Sequence, residues 1–383
     1  MRRLPMRRLP LRRAAAGALM ILGAASAQAG VVNPNLSVIG QPFMRLTTDP
    51  GSPDHDQPRL DVGETEFMFD DYLNPYVRGN VILSLSRDEG MVLEEGYFSV
   101  DRGLPAGLSL KGGQYRAGFG KFNPQHPHAV PFSERFGLLA AYLPGEESFN
   151  ETGLQLSKRL PAPGDMSLVA SVDWLQGDTF RRERIDSGLV GDPLATDAGD
   201  RSGESRPAVL GRLSAFAMVG ERSGLEVGLS GTSGTNNVAA GTRTQVLGAD
   251  VKAKLYRSDR SYLVLQGEAV KLSREDAGWD GASYTRDKVT PFGWYLYGDY
   301  NFNTRWNVGA SWERFQQDSD AAAWNHAVGL FAGFALLEET TALRFDWRRE
   351  QAGAAPADAA PDAINTFTMR VVWSMGPHKA HQF

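Results

Sequence analysis

From Thr341 the chain reads TALRFDWR, and taking alternate positions sorts it into two kinds of residue. Thr341, Leu343, Phe345 and Trp347 fall on one face, and Ala342, Arg344, Asp346 and Arg348 on the other, because successive side chains of a strand point to opposite sides. The same split recurs in Asn365, Phe367, Met369, Val371 and Trp373, in Leu247 to Leu255, in Met166 to Trp174 and in Trp306 to Trp312. A soluble sheet also alternates, but its packed inner face cannot hold unpaired charge. Here the polar faces carry full charges, and Trp174, Trp306, Trp312, Trp347 and Trp373 stand near strand ends. Aromatic rings at strand ends suit the headgroup region of a membrane. The strands run roughly 9 to 13 residues, beyond the ~5 to 6 of soluble sheets and enough to cross hydrocarbon when tilted. The pattern predicts an all-β fold, a transmembrane antiparallel β-barrel that is apolar outside and wet inside.

Strands are expected near 36–41, 61–71, 75–86, 91–100, 107–115, 152–160, 165–176, 208–220, 223–232, 244–256, 261–272, 291–301, 306–315, 324–335, 340–349 and 364–374. That makes about 16 strands; the first is weak, so the range is 14 to 16. An open sheet edge in lipid would leave backbone groups without partners, so the sheet must close. At sixteen strands the interior is a water-filled lumen. Tight turns at Glu221–Gly224, Arg257–Ser261, Asn301–Arg305 and Leu337–Thr340 are interleaved with long polar loops at 177–206, 233–243, 273–290, 316–323 and 350–363. Short turns on the periplasmic side and long loops outside are the habit of outer-membrane barrels.

The N-terminus supports export. Arg2, Arg3, Arg7, Arg8, Arg12 and Arg13 precede an apolar run from Ala14 to Ala24, and Ala27-Gln28-Ala29 supplies a small-residue cleavage pattern. Residues 1–29 are thus expected to be a cleaved Sec-type signal peptide, with translation starting at Met1 or Met6, and 30–383 a single barrel domain in the outer membrane of a Gram-negative bacterium. Without the signal arginines the net charge of −5 becomes about −11, which argues against nucleic acid as a partner. There is no cysteine, so disulfides, thiol chemistry and cysteine-ligated zinc are excluded.

Among lumen-facing charges, Lys252, Lys254, Arg344, Arg348 and Arg370 stand out, the three arginines forming a locally basic wall that suits anions. The competing reading is that any wet lumen needs polar residues whose charges mostly cancel. One connection, residues 116–151, breaks the alternation. At roughly 36 residues it exceeds an ordinary loop, and it is rich in rings: Phe119, Phe122, Phe132, Phe136 and Tyr142. Folding into the barrel would bury those rings and leave Arg116, Lys121, Glu134 and Arg135 to line a constriction.

Four stretches, VLEEGYF at Val92–Phe98, GLSLKGGQYRAGFGK at Gly107–Lys121, PFSERF at Pro131–Phe136 and the closing MGPHKAHQF at Met375–Phe383, carry a resemblance. They resemble a family of uncharacterised proteobacterial outer-membrane proteins, related in pattern to phosphate-selective porins and sometimes labelled zinc-regulated outer-membrane receptors. The resemblance implies a porin-like channel for passive diffusion of small ions and solutes, monomeric or trimeric, set in outer-membrane lipid and lipopolysaccharide by the barrel assembly machinery. The alternative is a receptor or binding protein for a metal ion or metal complex without an open pore. A receptor of the plugged, 22-stranded kind does not fit this length. The chain also departs from the usual barrel end, since Gly376, Pro377 and two histidines separate the last strand from Phe383.

His126 and His128 flank Pro127 and are candidate zinc or copper ligands, alone or with His378 and His381. The competing reading makes His126-Pro127-His128 a polar turn. Neither these histidines nor His55 and His326 sit in a Ser–His or Asp–His pattern, and Ser133 lacks a glycine-flanked elbow, so no catalysis is expected.

Overall fold

The computed structural model describes residues 34–145, 148–182, 205–238, 240–317, 322–337, 341–354 and 362–376. The signal peptide, the Leu337–Thr340 turn beyond its first residue, most of the 177–206 loop, the 350–363 loop in part, and His378, His381 and Phe383 lie outside them.

The strands are β1 (Asn35–Gly40), β2 (Phe43–Thr47), β3 (Arg59–Asp61), β4 (Thr65–Tyr72), β5 (Val77–Ser86), β6 (Gly90–Val100), β7 (Leu108–Arg116), β8 (Asn150–Leu160), β9 (Ser167–Leu175) and β10 (Ala208–Val219). They continue as β11 (Ser223–Asn237), β12 (Thr242–Tyr256), β13 (Tyr262–Trp279), β14 (Tyr284–Val289), β15 (Phe292–Asn301), β16 (Trp306–Gln316), β17 (Trp324–Leu337), β18 (Thr341–Gln351) and β19 (Ile364–Met375). All nineteen segments belong to one antiparallel sheet. Three pairs are single staves interrupted by a short break. β1 and β2 run together along β19, β3 and β4 pair with β2 and β1, and β14 continues β15 along β13. Sixteen staves therefore close into a barrel when the first pairs with the last through Val38↔Met375 and Thr366↔Thr47.

Each stave follows the expected parity, with the burial rule inverted because the outer solvent is hydrocarbon. On β12, Leu247 is 63% exposed and Asp250 only 6%. On β18, Phe345 faces out, whereas Asp346 and Arg348 are buried inside. Rings collect on the outer face: Trp294 packs edge-on to Trp312 at 4.8 Å between centroids, and Trp306 lies 4.3 Å from Phe334. A charge placed on this face should be costly. Val251→Arg, midway along β12, is expected to lower stability by about 2–4 kcal/mol, read as an earlier urea midpoint in phospholipid vesicles; a midpoint equal to that of Val251→Leu would show that the site does not face lipid.

Two expected loops are corrected. Residues 233–243 and 273–290 are mostly strand: β11 runs on to Asn237, and the end of β13 folds back on β14 from Arg274↔Val289 to Trp279↔Tyr284. Beyond the membrane the apolar face is no longer required, so the ladder continues through residues such as Thr235, Asn236 and Glu275 that carry no lipid-facing signal. The first strand, weak in sequence, extends past a break at Gln41-Pro42 to Thr47.

The apolar core sits inside the barrel. Between β7 and β8 the chain leaves the wall, and Phe119, Phe122, Phe132, Phe136, Leu138 and Tyr142 pack with Val246, Val270, Leu272, Tyr295, Tyr297 and Phe331, which project inward from β12, β13, β15 and β17. Phe136 stacks on Tyr295, ring centroids 3.8 Å apart at 12°. The predicted 116–151 segment is thus 117–149, since Arg116 still pairs with Asn150 in the wall.

Candidate functional site

A segment that leaves the sheet must satisfy its backbone some other way, and lumen side chains do so around the barrel. Glu268 of β13 accepts from the amides of Lys121 and Phe122 at 2.8 and 2.7 Å. Glu313 of β16 accepts from Gly137 and Leu138 at 3.2 and 3.1 Å, at the start of a short helix, α1 (Gly137–Tyr142). Asp346 of β18 takes the amide and hydroxyl of Ser133 at 3.1 and 2.6 Å. Carbonyls are met by arginine: Arg370 donates to Phe132 O at 2.9 Å and to Pro127 O at 3.3 Å, and Arg344 donates to Val130 O. Gly120, at φ +62°, lies against the Glu268 carboxylate where a Cβ would collide.

This places most of the expected site residues. Arg344 and Arg370 are cross-strand neighbours as foreseen, but their donors hold the inward segment, and Arg348 is paired with Glu313 and Glu350. Lys121 binds Glu226 at 2.5 Å, Glu134 lies 3.9 Å from Arg45, and Arg135 stands over the Phe122 ring. Lys252 pairs across the ladder with Glu226, and Lys254 lies over the Tyr262 ring toward the barrel's short-turn end. Lys252 and Lys121 thus gather around Glu226.

Arg116, His126 and His128 converge. His126 precedes a 3₁₀ turn, Pro127–Ala129, so the turn reading holds locally, yet the two imidazoles stack at 5.7 Å and both meet Glu66 of β4. His128 Nδ1 lies 2.9 Å from Glu66 Oε1. His126 Nδ1 lies 3.3 Å from Glu66 Oε2 and 3.5 Å from Glu94 Oε2, and its Nε2 lies 3.7 Å from Glu95 Oε1. Arg116 binds Glu94, donates its amide to Glu95 Oε1 at 3.1 Å and reaches Gln125 O at 3.1 Å. Burial pulls the His126 ring toward neutrality, but the Glu66, Glu94 and Glu95 carboxylates outweigh it and hold its pKa well above the usual value.

Sequence reasoning missed Glu66, Glu94, Glu95 and Glu268. Glu66 shares a parity face with Asp70, a signal that was present in TEFMFD. Glu94 and Glu95 are adjacent, so alternation alone sends one of them into lipid. The register shifts here: Ile82 pairs with Glu95 and Leu83 with Leu93, leaving Glu94 as an extra residue in β6. A bulge re-aims a side chain, and this one lets both carboxylates reach the His126 ring.

The segment divides the interior. On the side of the external loops, a cavity of about 820 Å³ is bordered by Arg45, Asp61, Glu64, Glu94, Arg116 and Arg181. On the side of the Phe302–Arg305 turn, a cavity of about 290 Å³ is bordered by His128, Asp299, Asn307 and Arg344.

No family model matches the chain. An uncharacterised protein of Aquifex aeolicus (strain VF5) is 27% identical over 332 residues, spanning 81% of this chain and 67% of that protein. Among solved structures, the outer membrane channel DcaP of Acinetobacter baumannii superposes with a TM-score of 0.59 at 12% identity, covering 89% of this chain and 96% of that one. The anion-selective porin from Comamonas acidovorans gives 0.56 at 12% identity, over 89% and 98% of the two chains. OprB of Pseudomonas putida gives 0.56 at 12% identity, over 90% and 94%. At such identity the likeness is one of fold, and with the lipid-facing girdle and charged interior it makes this chain a sixteen-stranded outer-membrane β-barrel.

Proposed function

We propose that the protein is a porin-like outer-membrane channel for the passive diffusion of small ions and solutes, with the segment between β7 and β8 as its constriction. The observation that carries this reading is the one-sided seating of that segment. Its rings are spent on the β12–β17 wall, and a charged cavity of about 820 Å³ remains against the β2–β7 wall. Of the charges expected at the constriction, Arg116 borders this passage from the wall, and Lys121, Glu134 and Arg135 are carried by the segment itself. Similar solved barrels described as a channel and as an anion-selective porin support the reading. Anion preference from Arg344, Arg348 and Arg370 becomes a weaker part of it, because those side chains hold the segment and its anchors. The finer placement, within an uncharacterised family akin to phosphate-selective porins, rests on the sequence resemblance.

A second reading, a binding protein for a metal ion or metal complex without an open pore, is favoured by the grip on the segment from β4, β13, β16, β18 and β19. Planar bilayers separate the two. The refolded barrel is expected to give open, ohmic channels; membranes that stay closed after verified insertion would remove the channel reading and leave the second.

A further inference from the structure

The geometry points to a divalent-cation site of the zinc type formed by Glu66 Oε2, Glu94 Oε2 and His126 Nδ1, stapling the inward segment to β4 and β6. It goes beyond the channel reading and does not depend on it.

Three observations carry it. First, these three atoms lie within 4.8 Å of one another, they are buried, and they meet one another at ion-pair distances of 3.3 and 3.5 Å without a regular hydrogen bond. Buried polar atoms normally find partners at hydrogen-bond distance, and these three instead face one point that a shared cation would fill. Second, the spacing fits. A hydrogen bond would bring nitrogen and oxygen to ~2.7–3.2 Å, whereas ligands ~2.0–2.2 Å from a tetrahedral zinc lie about 3.3–3.6 Å apart. The His126 nitrogen lies 3.3 Å from one carboxylate oxygen and 3.5 Å from the other.

Third, the surrounding shell orients each ligand. Glu66 presents Oε2 because His128 Nδ1 holds its Oε1 at 2.9 Å. Glu94 presents Oε2 because Arg116 holds its Oε1. His126 presents Nδ1 with its Nε2 turned toward Glu95 Oε1, 3.7 Å away, so a carboxylate stands on the far side of the ring. Glu64 borders the same cavity as Glu94, so a cation has an entry from that side. Two carboxylate oxygens and an imidazole suit zinc or a similar first-row cation, whereas calcium and magnesium need about six oxygens.

The test uses the full barrel refolded in detergent, stripped with chelator and titrated with zinc by calorimetry, with cobalt as a spectroscopic probe. One equivalent should bind, cobalt should show the intense visible absorption of a tetrahedral site, and excess magnesium should displace neither. Glu94→Gln and His126→Ala should each weaken binding at least about tenfold, and His128→Ala should weaken it roughly 10–100-fold through Glu66. Heat-modifiable migration on gels reports whether each variant is folded, and Glu94, at the cavity edge, is the decisive one if Glu66→Gln fails to fold. No zinc binding by the wild type, or wild-type affinity in folded Glu94→Gln and His126→Ala, would overturn the site. A closed channel would leave these binding outcomes unchanged, so the two proposals fail separately.

Discussion

Deleting Phe119–Ala141 should raise single-channel conductance severalfold, because it removes the segment that fills one side of the lumen. The barrel should survive the deletion. β7 and β8 pair directly from Leu108↔Lys158 to Arg116↔Asn150, so the segment is an excursion from an intact hairpin. Glu268, Glu313, Asp346, Arg344 and Arg370 would then face water, where their charges are solvated rather than stranded. Sixteen staves without an inward segment leave a wide aqueous channel. Unchanged conductance in a normally inserted variant would mean that the segment does not occupy the lumen in a membrane.

Phe136→Ala should release the same segment without opening the wall. Phe136 is 1% exposed, stacks on Tyr295 and meets Phe122 and Phe132 edge-on at 5.2 and 5.4 Å. Truncating a buried Phe costs about 3–5 kcal/mol, and here nearly all of that loss falls on docking, because no stave depends on the ring. The expected results are noisy, multi-level currents and new proteolytic cleavage within 117–149, with heat-modifiable migration unchanged. Wild-type protection and quiet currents would show that the wall carboxylates and arginines hold the segment without its rings.

The barrel was legible because the forces behind it act one residue at a time. Each of Phe345, Leu247 and Trp312 meets lipid or does not according to its parity, so the sixteen staves could be read off with small errors at their ends. Reading failed where lipid stopped constraining the chain. β14 and the extensions of β11 and β13 carry no apolar face, and their Thr, Asn, Asp and Glu residues read as loop. The aromatic content of 117–149 announced that it needed shelter, and an inward fold is the shelter it finds. Its anchors were not announced, because Glu268 meets Phe122 across 146 positions and Arg370 meets Phe132 across 238.

The histidines divide the same way. His126-Pro127-His128 is a turn by its sequence, and the structure contains that turn. What the sequence could not contain is Glu66, 62 positions from His128, or the bulge that brings Glu94 and Glu95 to the same ring. The sequence by itself determined the barrel, its parity, its stave count to within 14 to 16 and the segment that had to leave the wall, since a two-residue period against lipid is a local condition. Only the tertiary structure decided which charges meet, since closing the ring brings β4, β6, β18 and β19 around one segment, and a one-residue shift in β6 reverses which side of the wall a carboxylate faces.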